Sequence, residues 1–290
     1  MKESDNKNKN NMPRLNPVSA RIKEDVKAEE NLWLRAFGLI SPVIIYMLYV
    51  GLLTGLAGAA LNGIADKSEE YAKYISNNRT IINAAIRTVV IIIASVAQIP
   101  AFISEKPVLV SGDGNLARYL KCIFLGIFSA LMFNVLLSLI GLTGSVESYN
   151  ELAKRQFALP LMLGIILYGI ISPIAEELVF RGLVYNRMRR NEVSVPAAII
   201  LSSLFFGIYH FNMVQAVYGV LMGLIMVCVY EKYGGFIYPV IIHAVANSFI
   251  YILSSNKIIG KLMTPVTVAV TGALSIWLFI SIICENQIRD

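Results

Sequence analysis

The sequence predicts an all-α fold, a polytopic bundle of about eight transmembrane helices. Three observations carry this expectation. Hydrophobic residues make up 56% of the chain and charged residues only 15%, where soluble domains carry about a quarter. The mean hydropathy is +0.64. Apolar windows on the order of 20 residues, the length needed to cross a hydrocarbon core, recur along the chain.

The windows fall at about 33–61, 81–103, 119–142, 157–175, 196–211, 214–230, 237–254 and 262–284. The fifth and sixth are short and abut at Asn212-Met213, a pattern equally suited to a tight hairpin or a re-entrant pair. Residues 1–31 are polar and low in complexity. They cannot bury enough apolar surface to offset ordering entropy, so a disordered cytosolic tail is expected. Its basic residues precede no apolar core of a signal peptide. Residues 18–30 carry a weak amphipathic pattern compatible with a helix on the membrane surface. The organisation expected is this tail, motif-free transmembrane helices over 32–156, a catalytic core over 157–254, and a last helix with a short C-terminus over 255–290.

Orientation follows the basic residues. With a cytosolic N-terminus, 17 of the 25 Lys and Arg residues fall in inner segments, and Arg87 falls inside the second span. Both termini are therefore expected in the cytosol. The formal charge of +6 reads as an orientation signal, because no basic stripe interleaves with aromatics as in nucleic-acid binders. Cys122, Cys228 and Cys284 lie in or beside apolar windows without CxxC spacing, so packing is their expected role.

In such a chain the informative residues are ionisable groups at membrane depth, where a charge costs at least about 2.5–3.5 kcal/mol. Glu176, Glu177 and Arg181 form the first cluster. Glu177 and Arg181 are i,i+4 neighbours and can pair, while Glu176 points about 100° away. Pro173 removes a backbone donor beside them and is expected to kink the helix. Charges snorkelling from a helix end would give the same pattern, and Arg187, Arg189 and Arg190 follow closely.

His210 ends the apolar run Phe205-Phe-Gly-Ile-Tyr-His210, four residues after Phe206. His243 and Asn247 are i,i+4 on one helical face. These are the two histidines of the chain, and each has a polar neighbour, Asn212 or Asn247, within four positions. A carboxylate, two imidazoles and an amide on three helices suit peptide hydrolysis. The carboxylate deprotonates water, an imidazole orients it, and donors stabilise the oxyanion. The same set can hold a divalent metal with an open position. No GxSxG elbow supports a serine nucleophile, and Ser172, Ser202, Ser203 and Ser248 read as helix-packing residues.

The three motifs, Glu-Glu-x-x-x-Arg, Phe-x-x-x-His and His-x-x-x-Asn, together resemble the signature of the CPBP intramembrane protease family, also called the Abi or CAAX-protease-and-bacteriocin-processing family. The resemblance covers about residues 157–250. It implies an intramembrane endopeptidase acting on a membrane-associated peptide or protein. Glu176 would be the general base, and His210 would hold or deprotonate the water. His243 and Asn247 would act as oxyanion donors or line a metal site. Glu177 and Arg181 would form a supporting ion pair, with Phe206 packed before His210. The family is commonly labelled metal-dependent, which makes Glu176, His210 and His243 the candidate ligands of a metal such as zinc. A metal-free glutamate mechanism suits the same residues. The resemblance also admits an inactive scaffold or bacteriocin-immunity protein, and intramembrane Glu and His also occur in proton-relay transporters. The expected surroundings are a bacterial plasma membrane, a membrane-embedded peptide substrate and no nucleic acid. The fourth span, running outside to inside, would set Glu176 near the cytosolic leaflet, whereas His210 would fall at the outer end of the fifth.

Overall fold

The computed structural model describes residues 17–110 and 115–285, with side chains from residue 34 onward. The regular elements among the described residues are all helical. Seven helices are long and apolar enough to cross a membrane, and Val195–Ile208 is a shorter apolar helix. The polytopic helical bundle expected from composition is therefore the fold.

The chain divides into two units, one ending at Ser41 and one starting at Pro42. Helix α1 (Pro17–Ala65) begins in the first unit, and its remainder belongs to the second. The expected tail needs correcting here. Residues 17–31 are helical, and only residues 1–16 of that expectation lie outside the described residues. The reason is local: Pro17 suits the first helical position, and the Ala, Lys, Glu and Arg that follow are good helix formers. Within the first unit the Ser41 hydroxyl donates to the Gly38 carbonyl at 3.1 Å. Within the second, the buried Gln98 amide donates to the Pro42 carbonyl at 2.7 Å.

After α1 come α2 (Glu69–Asn77), capped by Ser68, α3 (Arg79–Ser104) and α4 (Leu116–Leu139). Helix α5 (Glu147–Phe157) is short and polar. The continuous helix α6 (Leu161–Arg190) is followed by α7 (Val195–Ile208), α8 (Met213–Tyr233), α9 (Ile237–Ser255) and α10 (Pro265–Ile283). Two boundaries differ from the sequence reading. Helix α6 runs to Arg190, so Glu176 lies near the middle of its 30 residues and not at a helix end. Helix α7 has 14 residues, about 21 Å at 1.5 Å per residue, short of a roughly 30 Å hydrocarbon core. His210 therefore lies two residues past a helix that stops short of a full crossing.

Contacts define the two ends of the bundle. At one end Glu105 bridges Arg187 and Arg190, each at 3.1 Å. At that end too, the backbone amides of Phe236 and Ile237 donate to Val108 and Leu109. There Glu285 accepts from Arg118 at 2.7 Å, Lys121 at 2.8 Å and the Tyr233 hydroxyl at 3.0 Å. At the other end Asn212 donates to Ser148 at 3.1 Å, and the Tyr251 hydroxyl reaches the Gln156 and Leu159 carbonyls. Large apolar side chains such as Leu48, Leu52, Val89, Val96 and Trp277 are exposed. In water such a surface would be a liability; here it faces lipid.

Candidate active site

The site begins with a backbone irregularity. Pro173 has no N–H for the Gly169 carbonyl, and its ring would crowd that turn. The helix responds by widening: Ile165–Ile171 is π-helical, and the Ser172 amide donates to Leu167, five residues back. In this register the Tyr168 carbonyl would face Pro173, which has no hydrogen to offer. Asn247 on α9 fills that place, donating its side-chain amide to Tyr168 O at 3.1 Å. The wide turn is how the helix accommodates Pro173. Glycines on the widened face let α9 approach. A Cβ at Gly164 would collide with the Tyr251 ring, and one at Gly169 with the Ser248 hydroxyl. A second π-helical stretch, Leu178–Tyr185, follows. Such widened turns are rare and concentrate at functional sites.

Between the two stretches lie the carboxylates. Glu177 and Arg181 are fully buried, which excludes the snorkelling arrangement for both. Glu177 Oε1 accepts from Arg181 Nη1 at 2.8 Å and lies 2.8 Å from His243 Nδ1. Arg181 Nη2 donates to Gly223 O at 3.1 Å, and its guanidinium sits 4.7 Å from the Phe206 ring centre. With Arg181 beside it, Glu177 is the acceptor, so Nδ1 of His243 carries the proton. The second ring nitrogen, Nε2, lies 3.6 Å from Glu176 Oε2. A carboxylate that fixes an imidazole tautomer in this way also orients the ring. Glu177 thus holds two side chains, where the sequence offered one partner for it.

Glu176 is less buried than Glu177, with 13% side-chain exposure against 0%. It interacts electrostatically with Tyr46 and Tyr209, whose ring centroids are 6.1 Å apart. Neither tyrosine was singled out by sequence reasoning. Tyr209 adjoins His210 and was within the quoted run, but Tyr46 lies on α1, outside every motif.

His210 is tied differently. Its Nδ1 lies 2.9 Å from the Phe206 carbonyl, in the last turn of α7. A carbonyl only accepts, so Nδ1 donates and satisfies one of the orphan groups that end a helix. Asn212 likewise caps α8, accepting from the amides of Val214 and Gln215. His210 and His243 both meet Phe206, with ring centroids 5.1 and 5.5 Å away and both edge-on. Phe206, His210, His243 and Asn247 line one cavity of ≈ 130 Å³, which reaches Gln215 and Tyr218 and is roofed by α5 at the Ser148 end. Glu176 does not line that cavity and reaches it through His243.

The donor set offers two metal ligands side by side, Glu176 Oε2 and His243 Nε2. No group of three or more His, Cys, Asp or Glu side chains among the described residues converges as a metal site, and His210 does not complete one. The arrangement therefore does not fit the three-protein-ligand pattern of catalytic zinc. No chemical step is assigned to a metal below.

Comparison with known proteins agrees with the motifs. Residues 158–249 match the family model described as type II CAAX prenyl endopeptidase Rce1-like. The chain is 29% identical over 129 residues to the Bacillus subtilis protein named "Putative membrane peptidase YdiL", covering 41% of this chain and 52% of that protein. It is 29% identical over 129 residues to "UPF0177 protein YxdF" of Lactococcus lactis, covering 42% of this chain and 70% of that protein. The match thus spans about half the length of the Bacillus relative. No solved structure matches the chain. The match falls on the span that carries the Glu176, His210 and His243 motifs, so the resemblance to the CPBP family is borne out over residues 158–249.

Proposed function

We propose that this protein is an intramembrane endopeptidase in which Glu176 activates the water that cleaves a peptide bond. One observation carries the reading: His243, held by Glu177 through Nδ1, turns Nε2 toward Glu176 Oε2 at 3.6 Å. That gap is too long for a direct hydrogen bond but short enough for both groups to hold one water. Glu176 takes a proton from this water, and the hydroxide adds to the scissile carbonyl carbon. His243 steadies the water, Asn247 on the same cavity wall keeps a second amide hydrogen for the developing oxyanion, and His210, whose Nδ1 proton is given to Phe206, offers Nε2 as a further acceptor for water. Glu176 then returns its proton to the leaving nitrogen as the C–N bond breaks, so no proton is gained or lost overall. Glu177, Arg181 and Phe206 act by positioning, because they fix His243 and the helix that carries Glu176.

In this reading the Glu105, Arg118 and Arg187 end faces the cytosol of a bacterial plasma membrane, with both termini on that side. The substrate is a membrane-embedded or membrane-associated peptide; bacteriocin precursors are one class that would suit it. Zinc would add Lewis-acid chemistry, but two adjacent donors favour the metal-free glutamate route. Comparative peptidomics of membranes carrying wild type or Glu176→Gln tests the proposal, with an uncleaved peptide expected to accumulate in the variant.

A scaffold or immunity role has one observation in its favour. The His210 and Asn247 side chains are each already engaged with backbone carbonyls. Full complementation of a deletion strain by Glu176→Gln would decide for that role.

A further inference from the structure

Arg87 makes no hydrogen bond or ion pair in the network above, although its charge acts on Tyr46 and Tyr209 beside Glu176. It lies eight residues into α3, about 12 Å from the helix start at 1.5 Å per residue, within an otherwise apolar span. A charge at that depth needs a partner or a purpose. It makes no salt bridge among the described residues, and neither do Arg79 and Arg155. Arg155 exerts only an electrostatic pull on Glu151, whose carboxylate is bonded to Lys154. The Arg87 guanidinium lies 5.7 Å from the centre of the Tyr168 ring.

These three arginines, with Thr80 and Asn83, line one cavity of ≈ 500 Å³ between α3, α5 and the widened turn of α6. No carboxylate lines it. Three cationic forks lining one space with the neutral polar Thr80, Asn83 and Gln156 make an anion receptor, and guanidinium geometry matches phosphate oxygens two at a time. The surroundings identify the source of the anion. Arg87 is exposed, and the same helix exposes Val89, Ile92, Ile93 and Val96 to lipid chains on its other side, so the cavity is built on a helix that borders lipid. Arg79 stands at the α3 terminus, at the bundle end that also holds Ser148 and Gln156.

We propose that the Arg79, Arg87 and Arg155 cavity binds the phosphate of an anionic phospholipid headgroup, with its acyl chains lying along α3. Basic pockets between transmembrane helices are suited to such headgroups. The site shares Leu152 and Gln156 with the wall of the His210 cavity. A seated lipid would therefore brace α5 over that cavity. The assignment does not depend on peptidase activity.

The test uses the full chain in detergent micelles, with native mass spectrometry measuring retention of phosphatidylglycerol against phosphatidylcholine. Phosphatidylglycerol should be favoured by about tenfold or more, from three basic contacts. Arg87→Gln and the surface variant Arg155→Gln should each cut the preference to about threefold or less, and Arg87→Lys should fall between. Thermal unfolding in the same micelles checks that each variant is folded. Equal retention of the two lipids would overturn the proposal, as would an unchanged preference in the triple Arg→Gln variant. Saturable inorganic phosphate that phosphatidylglycerol cannot displace would assign the cavity to a soluble anion and also overturn it. A KM increase confined to peptides with a free C-terminal carboxylate, with lipid preference intact, would do the same in favour of substrate.

Discussion

Glu177→Gln perturbs the buried network at its most connected atom. Oε1 of Glu177 meets Arg181 Nη1 and His243 Nδ1, both at 2.8 Å, and the Glu177 and Arg181 side chains have 0% exposure. Glutamine keeps the shape and one acceptor oxygen but strands a buried guanidinium. Removing one partner of a buried pair costs about 3–5 kcal/mol. Glu176 also attracts Arg181, so the low end, about 3 kcal/mol, is expected. Removing the whole pair is different, because apolar replacements of similar volume are often neutral. Glu177→Gln combined with Arg181→Met should therefore recover stability to within about 1 kcal/mol of wild type, giving a large coupling energy in the double-mutant cycle. Peptide cleavage should stay low in the double variant, since His243 Nδ1 has lost its anionic acceptor. Equilibrium unfolding of the purified chain in micelles measures the four corners. A single-variant cost below about 1 kcal/mol, or a double variant as unstable as the summed singles, would refute the reasoning.

Three further outcomes are expected. Asn247→Ala should cost about 1–3 kcal/mol by stranding the Tyr168 carbonyl, and adding Pro173→Ala should return part of that cost, because residue 173 then has an N–H; unfolding in micelles compares the two. Gly126→Ala should destabilise by about 1–3 kcal/mol, since its Cβ would lie 2.7 Å from the Ile242 carbonyl oxygen on the α9 backbone, whereas Gly58→Ala, with nothing within 4 Å, should be neutral or stabilising. Burial pushes the Glu285 carboxyl up, but hydrogen bonds from Lys121, Arg118 and Tyr233 outweigh it and hold the group at about 2. The folded value is depressed, so this contribution is fully present above the unfolded value of about 4.3 and is lost as pH falls toward about 2. Unfolding midpoints between those limits should fall more steeply for wild type than for Glu285→Gln.

Much of this arrangement was legible in the residues. Oily windows gave the helices, and the spacing of Glu177 and Arg181 gave their pairing geometry. The rarity of histidine drew attention to His210 and His243. What escaped depends on contacts between helices distant in sequence. Nothing local to His243 says that Glu177, 66 residues away, will approach its Nδ1. Pro173 signalled a disturbed helix, but whether the turn bends or widens depends on Asn247 being there to take the freed carbonyl. The ends of α6 and α7 were misjudged because hydropathy reports where apolar residues stop. A helix can continue past that point when its charges are buried and paired, as they are at Glu177 and Arg181.

The most direct test of the central claim is the cleavage rate of a purified chain in liposomes, using the peptide that accumulates in Glu176→Gln membranes. Wild type should cut it. Glu176→Gln should lower kcat/KM by about 10²–10⁴-fold with an unchanged unfolding midpoint. Cleavage by folded Glu176→Gln at the wild-type rate would contradict the assignment of Glu176 as the base.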